Sequence, residues 1–267
     1  MIQGLYRLFI ELTNGRWSSG ILRRFARSSI SRFIVPSFAS IYQLNQEEME
    51  KGLNDYPTLH DLFIRNLKED ARTIDQHSQS VVSPVDAVLE DVGTIKETSD
   101  IVVKGKTYSI REMLGNEDIL GKYLNGIYMI LYLSPSHYHR IHSPVSGTVT
   151  KQWELGSKSF PVNKWGLKYG RETLSKNYRV ITEVKTNYGH VAIVKVGAMF
   201  VNSIETTHKG SELEKGGEIA YFSFGSTVVL LFEKDLFQID PSLRTPQELK
   251  VGVRLGMLTS VKEKVEV

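Results

Sequence analysis

The chain has 267 residues, 41% of them hydrophobic and 24% charged, the balance of a folded globular protein able to bury a substantial core. Its complete lack of cysteine excludes disulfides, thiolate nucleophiles and cysteine-ligated zinc or iron–sulfur centres, so its chemistry must use oxygen and nitrogen groups. A formal net charge of only +3 gives no ground for expecting a nucleic-acid partner.

The positive charge is local. The first 34 residues carry Arg7, Arg16, Arg23, Arg24, Arg27 and Arg32 against one acid, Glu11, interleaved with Leu5, Phe9, Ile10, Trp17, Ile21, Leu22, Phe25, Ile30, Phe33 and Ile34. This pattern suits amphipathic helices on an anionic membrane surface, and equally a helical cap on the core. Its Arg and Ser content with little acid loosely resembles an organelle transit peptide, while no apolar h-region marks secretion. The longest apolar runs, such as 127–133, are far below the roughly 20 residues that span a bilayer, so membrane contact is expected to be peripheral.

Residues 1 to about 70 read as helical, with Leu59, Leu62, Phe63 and Leu67 forming one apolar stripe. From about 81 onward, short Val/Ile/Leu/Tyr-rich segments alternate with Gly, Asn and Pro turns. Strands are expected at 87–95, 101–104, 127–133, 147–154, 180–186, 190–196, 218–223, 227–232 and 251–258, with a short helix near 110–114. The order of elements predicts an α+β protein, with a helical amphipathic segment (1–70) before a mainly antiparallel β domain (71–267). Within the latter, Ser83-Pro84-Val85-Asp86-Ala87 and Ser143-Pro144-Val145-Ser146-Gly147 form a weak repeat, which suggests a duplicated barrel-sandwich fold.

Three of the seven histidines fall in Ser134-Pro135-Ser136-His137-Tyr138-His139-Arg140-Ile141-His142-Ser143-Pro144, directly after an apolar strand. Histidine suits proton transfer near neutral pH, and a His-x-x-His pair equally suits zinc. Asp86 supplies an acid in a turn, where such a residue is commonly an Asx cap. Gly225-Ser226-Thr227 places a hydroxyl after a glycine whose missing side chain leaves the preceding carbonyl sterically open. An acid, an imidazole and a hydroxyl are the parts of a proton relay, although their convergence cannot be read from sequence.

From about Pro57 to about residue 260 the chain resembles the pyruvoyl-dependent phosphatidylserine decarboxylases. The likeness rests on 62–68, Ser83-Pro84-Val85-Asp86, 133–147, Phe160-Pro161-Val162-Asn163, Val196-Gly197-Ala198 and 215–227. The Tyr-His-Arg-x-His-x-Pro and Gly-Ser-Thr blocks are its most specific parts. Two departures are Ala220, at a position usually glycine, and Lys176-Asn177-Tyr178-Arg179-Val180, which replaces an Asn-Glu-Arg pattern and bears on the substrate pocket.

The resemblance implies that Asp86, His142 and Ser226 form a self-processing triad. Ser226 would attack the Gly225 carbonyl, and β-elimination and hydrolysis would leave a covalent pyruvoyl cofactor at residue 226. The products would be chains 1–225 and 226–267, which remain associated. His139 would reprotonate the product after CO₂ loss, and no metal would be required. The implied substrate is phosphatidylserine, met at the cytoplasmic face of the cell membrane. The oligomeric state stays open, a homodimer being one option.

Two readings from other classes compete. A zinc-dependent hydrolase would draw ligands from His137, His139 and His142 with His190, His208 or Asp86. A non-catalytic barrel-sandwich binding module would need a lysine at the hairpin tip, where the two half-repeats have none.

Overall fold

The computed structural model describes residues 21, 23–103, 105–157, 160, 173–197, 204–223 and 226–259. The expected helical positions in 1–20, the Pro161-Val162-Asn163 block and Gly225 lie outside the described residues. The front of the chain contains α1 (Val35–Ile41) and α2 (Leu59–Phe63). There follow β1 (Ser80–Val82), β2 (Ala87–Thr94), β3 (Asp100–Val103), β4 (Lys106–Ser109), α3 (Ile110–Leu114), α4 (Glu117–Tyr123), β5 (Ile127–Leu133), β6 (Arg140–His142) and β7 (Gly147–Leu155). Next are α5 (Thr173–Lys176), β8 (Arg179–Lys185), β9 (His190–Gly197), β10 (Ile204–Thr206), β11 (Glu212–Leu213) and β12 (Glu218–Phe222). The remaining strands are β13 (Ser226–Phe232), β14 (Phe237–Ile239), β15 (Gln247–Leu249) and β16 (Arg254–Leu258).

Eight strands form an antiparallel sheet in the order β11-β7-β8-β9-β13-β5-β2-β15. β13 lies inside it, with Ser226 opposite Leu133 of β5 and Gly197 of β9. All seven residues of β13 are buried, which is why Val228–Phe232 reads as an unbroken apolar run rather than an alternating one. Side-chain alternation divides them between two cores. Val228, Leu230 and Phe232 join Met129, Leu131, Ile141, Val145 and Phe222. Val229 and Leu231 join Ile110, Met113, Tyr123 and Val194 on the other face. Ser226 has the parity of the first core, toward the small sheet β10-β12-β6. A third core, with Val35, Ala39, Leu59 and Leu62, holds the helical front together.

The mixture of helix and antiparallel sheet is the α+β class, and all nine expected strands are present within a few residues. The helical front is more broken than its apolar spacing suggested. Helix α2 starts where Thr58 Oγ1 accepts from Asp61 N at 3.1 Å and stops after Phe63, and Leu67 instead bridges to Met49 in extended backbone.

The backbone around the two Ser-Pro-Val turns corresponds bond for bond. Val82 N donates to Pro144 O at 3.0 Å, and His142 N donates to Pro84 O at 2.8 Å. Ser83 Oγ donates to Val85 O and Ser143 Oγ to Val145 O, both at 2.7 Å. Ser83 exchanges bonds with Val253 O and Gly252 N as Ser143 does with Gly217 O and Gly216 N. Asp86 Oδ1 accepts from Val251 N at 2.9 Å where Ser146 Oγ accepts from Lys215 N at 3.0 Å.

Both partner loops turn on a left-handed glycine, Gly216 at φ +83° and Gly252 at φ +89°. A Cβ on Gly252 would sit 2.3 Å from Thr73 O, whereas one on Gly105, also left-handed at φ +76°, meets nothing within 4 Å. Left-handed backbone costs a non-glycine residue roughly 1–2 kcal/mol, and the carbonyl clash adds to it at Gly252 alone. Gly252→Ala is therefore expected to lower the melting midpoint by at least about 4 °C and by more than Gly105→Ala does, measured by calorimetry. Equal midpoints for the two variants would contradict this account.

Candidate active site

Ser226 opens β13 with its side chain fully buried, and its Oγ has no hydrogen-bond partner. A buried hydroxyl left unpaired costs about 1–3 kcal/mol, a state Ser226 shares with Tyr56, Thr173, Thr207 and Thr227; what distinguishes Ser226 is its place directly after a glycine at the head of β13. The main chain of residue 226 is held between two neighbouring strands. The reactive end of the residue is thus unbound while its backbone is fixed.

His142 ends β6, half-buried beside the same core. Its Nδ1 lies 2.7 Å from Gly216 O, which can only accept, so Nδ1 carries the proton. Nε2 of that tautomer presents its lone pair and accepts from the Tyr138 hydroxyl at 3.2 Å. Burial lowers the pKa of His142 below the usual imidazole value, although the Gly216 carbonyl and the charges of Glu218 and Asp86 oppose it. It is a neutral base near neutral pH. Burial likewise pushes the Tyr138 phenol up, so Tyr138 remains a donor.

His139 is fully buried and neither ring nitrogen has a hydrogen-bond partner. Its pKa lies well below the ordinary value, first through burial and then through the positive charge of Arg65 and the neighbouring His137, against a backbone contact with Ser134 that raises it. Its ring stacks on Phe63, with centroids 3.9 Å apart and planes 15° from parallel.

Asp86 is held by Arg72, whose Nε reaches Oδ1 at 2.8 Å and whose second amino group reaches Oδ2, and by the Val251 amide. Arg72 also meets Glu48 at 2.9 Å. Asp86 and its ion partner border a cleft of about 310 Å³ that Arg65, His137, Tyr138 and Lys250 also line.

The fold brings the four residues onto adjoining segments. The Pro84 carbonyl of the Asp86 turn binds the His142 amide, and the His139 carbonyl binds the amide of Phe222, four residues before Ser226. No hydrogen bond joins the side chains of Asp86, His139, His142 and Ser226 to one another; each is separately placed.

The histidines considered as zinc ligands disperse. His137 lies against Ser134 and 3.0 Å from Glu248 Oε2, His190 is 2.8 Å from Glu233, and His208 meets Gly210 O and Gln152. Among the described residues no three His, Asp or Glu side chains gather as a metal site.

Several residues that sequence reasoning passed over shape this region. Tyr138 and Arg72 hold His142 and Asp86, and neither stood out in a segment crowded with polar groups. Asn177, within the divergent 176–180 segment, is fully buried and saturates its amide. It accepts from Phe160 N at 2.9 Å and donates to Phe160 O at 2.7 Å and Gly197 O at 2.8 Å, tying that loop to the residue opposite Ser226. Arg179 of the same segment binds the carbonyls of Met113, Asn177 and Glu112. Lys195 is fully buried in β9 and donates to Thr182 Oγ1 at 2.7 Å, which donates in turn to Gln152 Oε1 at 2.8 Å.

A buried hydroxyl without a partner and two desolvated, neutral imidazoles on adjoining segments are equipment for proton transfer, and so for an enzyme. Comparison with known sequences says which kind. The family model described as phosphatidylserine decarboxylase matches residues 59–257. A "phosphatidylserine decarboxylase proenzyme" of Geobacillus sp. (strain WCH70) is 63% identical over 258 residues, covering 97% of this chain and 100% of the relative. Proteins of the same name from Anoxybacillus flavithermus and Geobacillus kaustophilus are 62% and 58% identical, covering 98% and 99% of this chain. The chain belongs to the phosphatidylserine decarboxylase family.

Lys195 provides a test of the burial described here. Its pKa falls to about 7 through desolvation, whereas an unfolded lysine holds its proton to about pH 10.4. Between those values the unfolded chain binds more protons, so this group makes the fold more stable as pH rises. Replacing it in Lys195→Met should flatten the rise between pH 7 and 9 by up to about 1.4 kcal/mol per pH unit, measured by denaturant unfolding. Identical slopes in the two proteins would show that the amine is solvated.

Proposed function

We propose that the chain is a proenzyme that cleaves itself between Gly225 and Ser226 and then converts phosphatidylserine to phosphatidylethanolamine and CO₂ at a membrane surface. The observation that carries this reading is the buried, unpartnered Oγ of Ser226 at the head of the central strand, in a chain of this family.

In self-processing, Nε2 of His142 exchanges its Tyr138 bond for the Ser226 hydroxyl and takes its proton. The oxygen attacks the Gly225 carbonyl carbon, the Gly225–Ser226 C–N bond breaks, and the acyl group passes from nitrogen to oxygen. Loss of the Cα proton expels the Gly225 carboxylate from Cβ. Water then displaces ammonia, leaving a pyruvoyl group on 226–267. Asp86, fixed by Arg72, contributes negative charge that favours the imidazolium formed on His142.

The residues present fit that group. Position 226 is buried, its lost hydroxyl gives up no hydrogen bond, and its backbone is anchored on both sides. Bound there, a pyruvoyl ketone supplies an electron sink for the bond that releases CO₂. His139 holds the proton that replaces the carboxylate: its neutral ring keeps one N–H, whose backbone contact with Ser134 falls short of a full hydrogen bond. The short chain stays in place because all seven residues of β13 pair with both β5 and β9.

Residues 1–70 serve as the membrane-associating part and 71–267 as the catalytic domain. Ile21, Ile30, Phe33 and Ile41 are exposed, with Phe33 at 85%, among exposed Arg23, Arg24, Arg27 and Arg32. That mixture suits the anionic cytoplasmic leaflet, which the chain meets peripherally. No helix among the described residues is long and apolar enough to cross a membrane. The bond-for-bond match of the two Ser-Pro-Val turns supports a duplicated barrel-sandwich β domain.

Ser226→Ala should remain one chain and be inactive, while His139→Ala should still cleave but lose at least about 100-fold in turnover, read by denaturing electrophoresis, intact mass and CO₂ release. Uncleaved yet active wild-type protein would overturn the reading. In the triple variant Ile30→Ser, Phe33→Ser, Ile41→Ser, cleavage should persist while co-sedimentation with anionic vesicles falls at least about 10-fold. Undiminished sedimentation would remove this face from the membrane contact.

A further inference from the structure

His139 poses a mechanical problem. Neither ring nitrogen makes a full hydrogen bond, and a backbone contact with Ser134 that falls short of one does not fix the plane of the imidazole by itself. An imidazole that must deliver a proton to one carbon cannot be left to rotate about its terminal torsion, which is intrinsically broad. Something apolar has to set it.

Three consecutive residues at the end of α2 grip the segment that carries His139. The Phe63 ring stacks on the imidazole at 3.9 Å. The Ile64 carbonyl accepts from Arg140 Nε at 3.0 Å, and Arg140 is itself paired with Glu218 at 2.9 Å. Arg65 spans two successive carbonyls, Ser136 O at 2.9 Å and His137 O at 3.0 Å. The stacking ring is wedged from behind, since Phe38 of α1 meets it edge-on at 6.4 Å, and Phe38 in turn packs on Tyr42 at 4.6 Å. Phe63 is fully buried, as is His139.

We propose that Phe63 is the positioning residue for His139: its ring sets the imidazole plane while leaving both nitrogen edges free for substrate, and Arg65 holds the loop in register beneath it. This rests on the role assigned to His139 above. It also gives the helical front a duty inside the active site, because the helix that packs on α1 supplies the ring that orients the proton donor. The stack further screens the imidazole from water, in the field of Arg65 and His137, the charged and titratable groups that face it.

The experiment uses full-length, self-cleaved protein with phosphatidylserine in mixed micelles. Phe63→Leu and Phe63→Met keep an apolar side chain but remove the ring, and Phe63→Tyr restores it. For the first two, self-cleavage should be complete and KM within about 2-fold of wild type, while kcat falls at least about 10-fold and its acidic limb moves to higher pH as the imidazole hydrates. Phe63→Tyr should recover kcat to within about 3-fold. Wild-type kcat and an unmoved limb in Phe63→Leu or Phe63→Met would overturn the proposal.

A measurement on the unaltered enzyme decides the matter even if those variants do not fold. The His139 ring proton, assigned by its absence in His139→Ala, should be shifted upfield by the stacked ring and should not titrate between pH 5 and 8. An unshifted resonance with an ordinary midpoint would overturn the proposal. If His139→Ala itself turns over normally, the reading of His139 fails. If it is inactive while Phe63→Leu is normal, only the present inference fails.

Discussion

The structure depends on the burial of β13 on both faces and its pairing on both edges. A strand with no free edge and no solvent face tolerates little displacement, because moving it would break two ladders and open two cores at once. Residue 226 is the first residue of that strand. Its main chain inherits this rigidity, while the Oγ, facing the first core, is bound to nothing. For the proposed chemistry this is the needed combination, since a peptide bond can be broken just ahead of β13 without releasing the strand.

Around that anchor the other groups are placed by backbone rather than by one another. His142 and Val82 occupy equivalent positions before the two Ser-Pro-Val turns, as do Asp86 and Ser146 within them. The same framework therefore carries an imidazole and a carboxylate in one place each, and inert residues in the matching places. Asp86 completes the motif's hydrogen bond to Val251 N, as Ser146 does to Lys215 N, and keeps its second oxygen for Arg72. The helical front contributes from outside the sheets, through Phe63 against His139 and Arg65 against the loop carbonyls.

Parts of this arrangement were legible in the chain. The run from Val228 to Phe232 is apolar at every position, as a strand covered on both faces requires, and the Gly-Asn-Pro punctuation set the other strand limits closely. The Ser-Pro-Val repeat was visible because proline and serine are needed by the turn itself. The front was harder to read. Its apolar spacing fits a helix, yet Leu67 and Met49 pair in extended backbone, and Met49 is buried in the third core with Leu59 and Leu62, so packing within the front overrides local preference. The strands β1, β4, β6, β10, β11, β14 and β15 were missed since each has only two to four residues and owes its form to a neighbour.

The identity of the groups assigned to the proposed chemistry, namely the hydroxyl after glycine, the crowded histidines and the turn aspartate, is a property of the covalent chain, and residue types with distinctive chemistry announce themselves there. Their state is not. That His142 is neutral with its proton on Nδ1, that His139 is fully desolvated against Phe63, and that Asp86 is clasped by Arg72 all follow from groups distant in sequence. Desolvation and hydrogen bonding act through space, and a pKa or a tautomer comes into being when the folded chain has excluded water from around it.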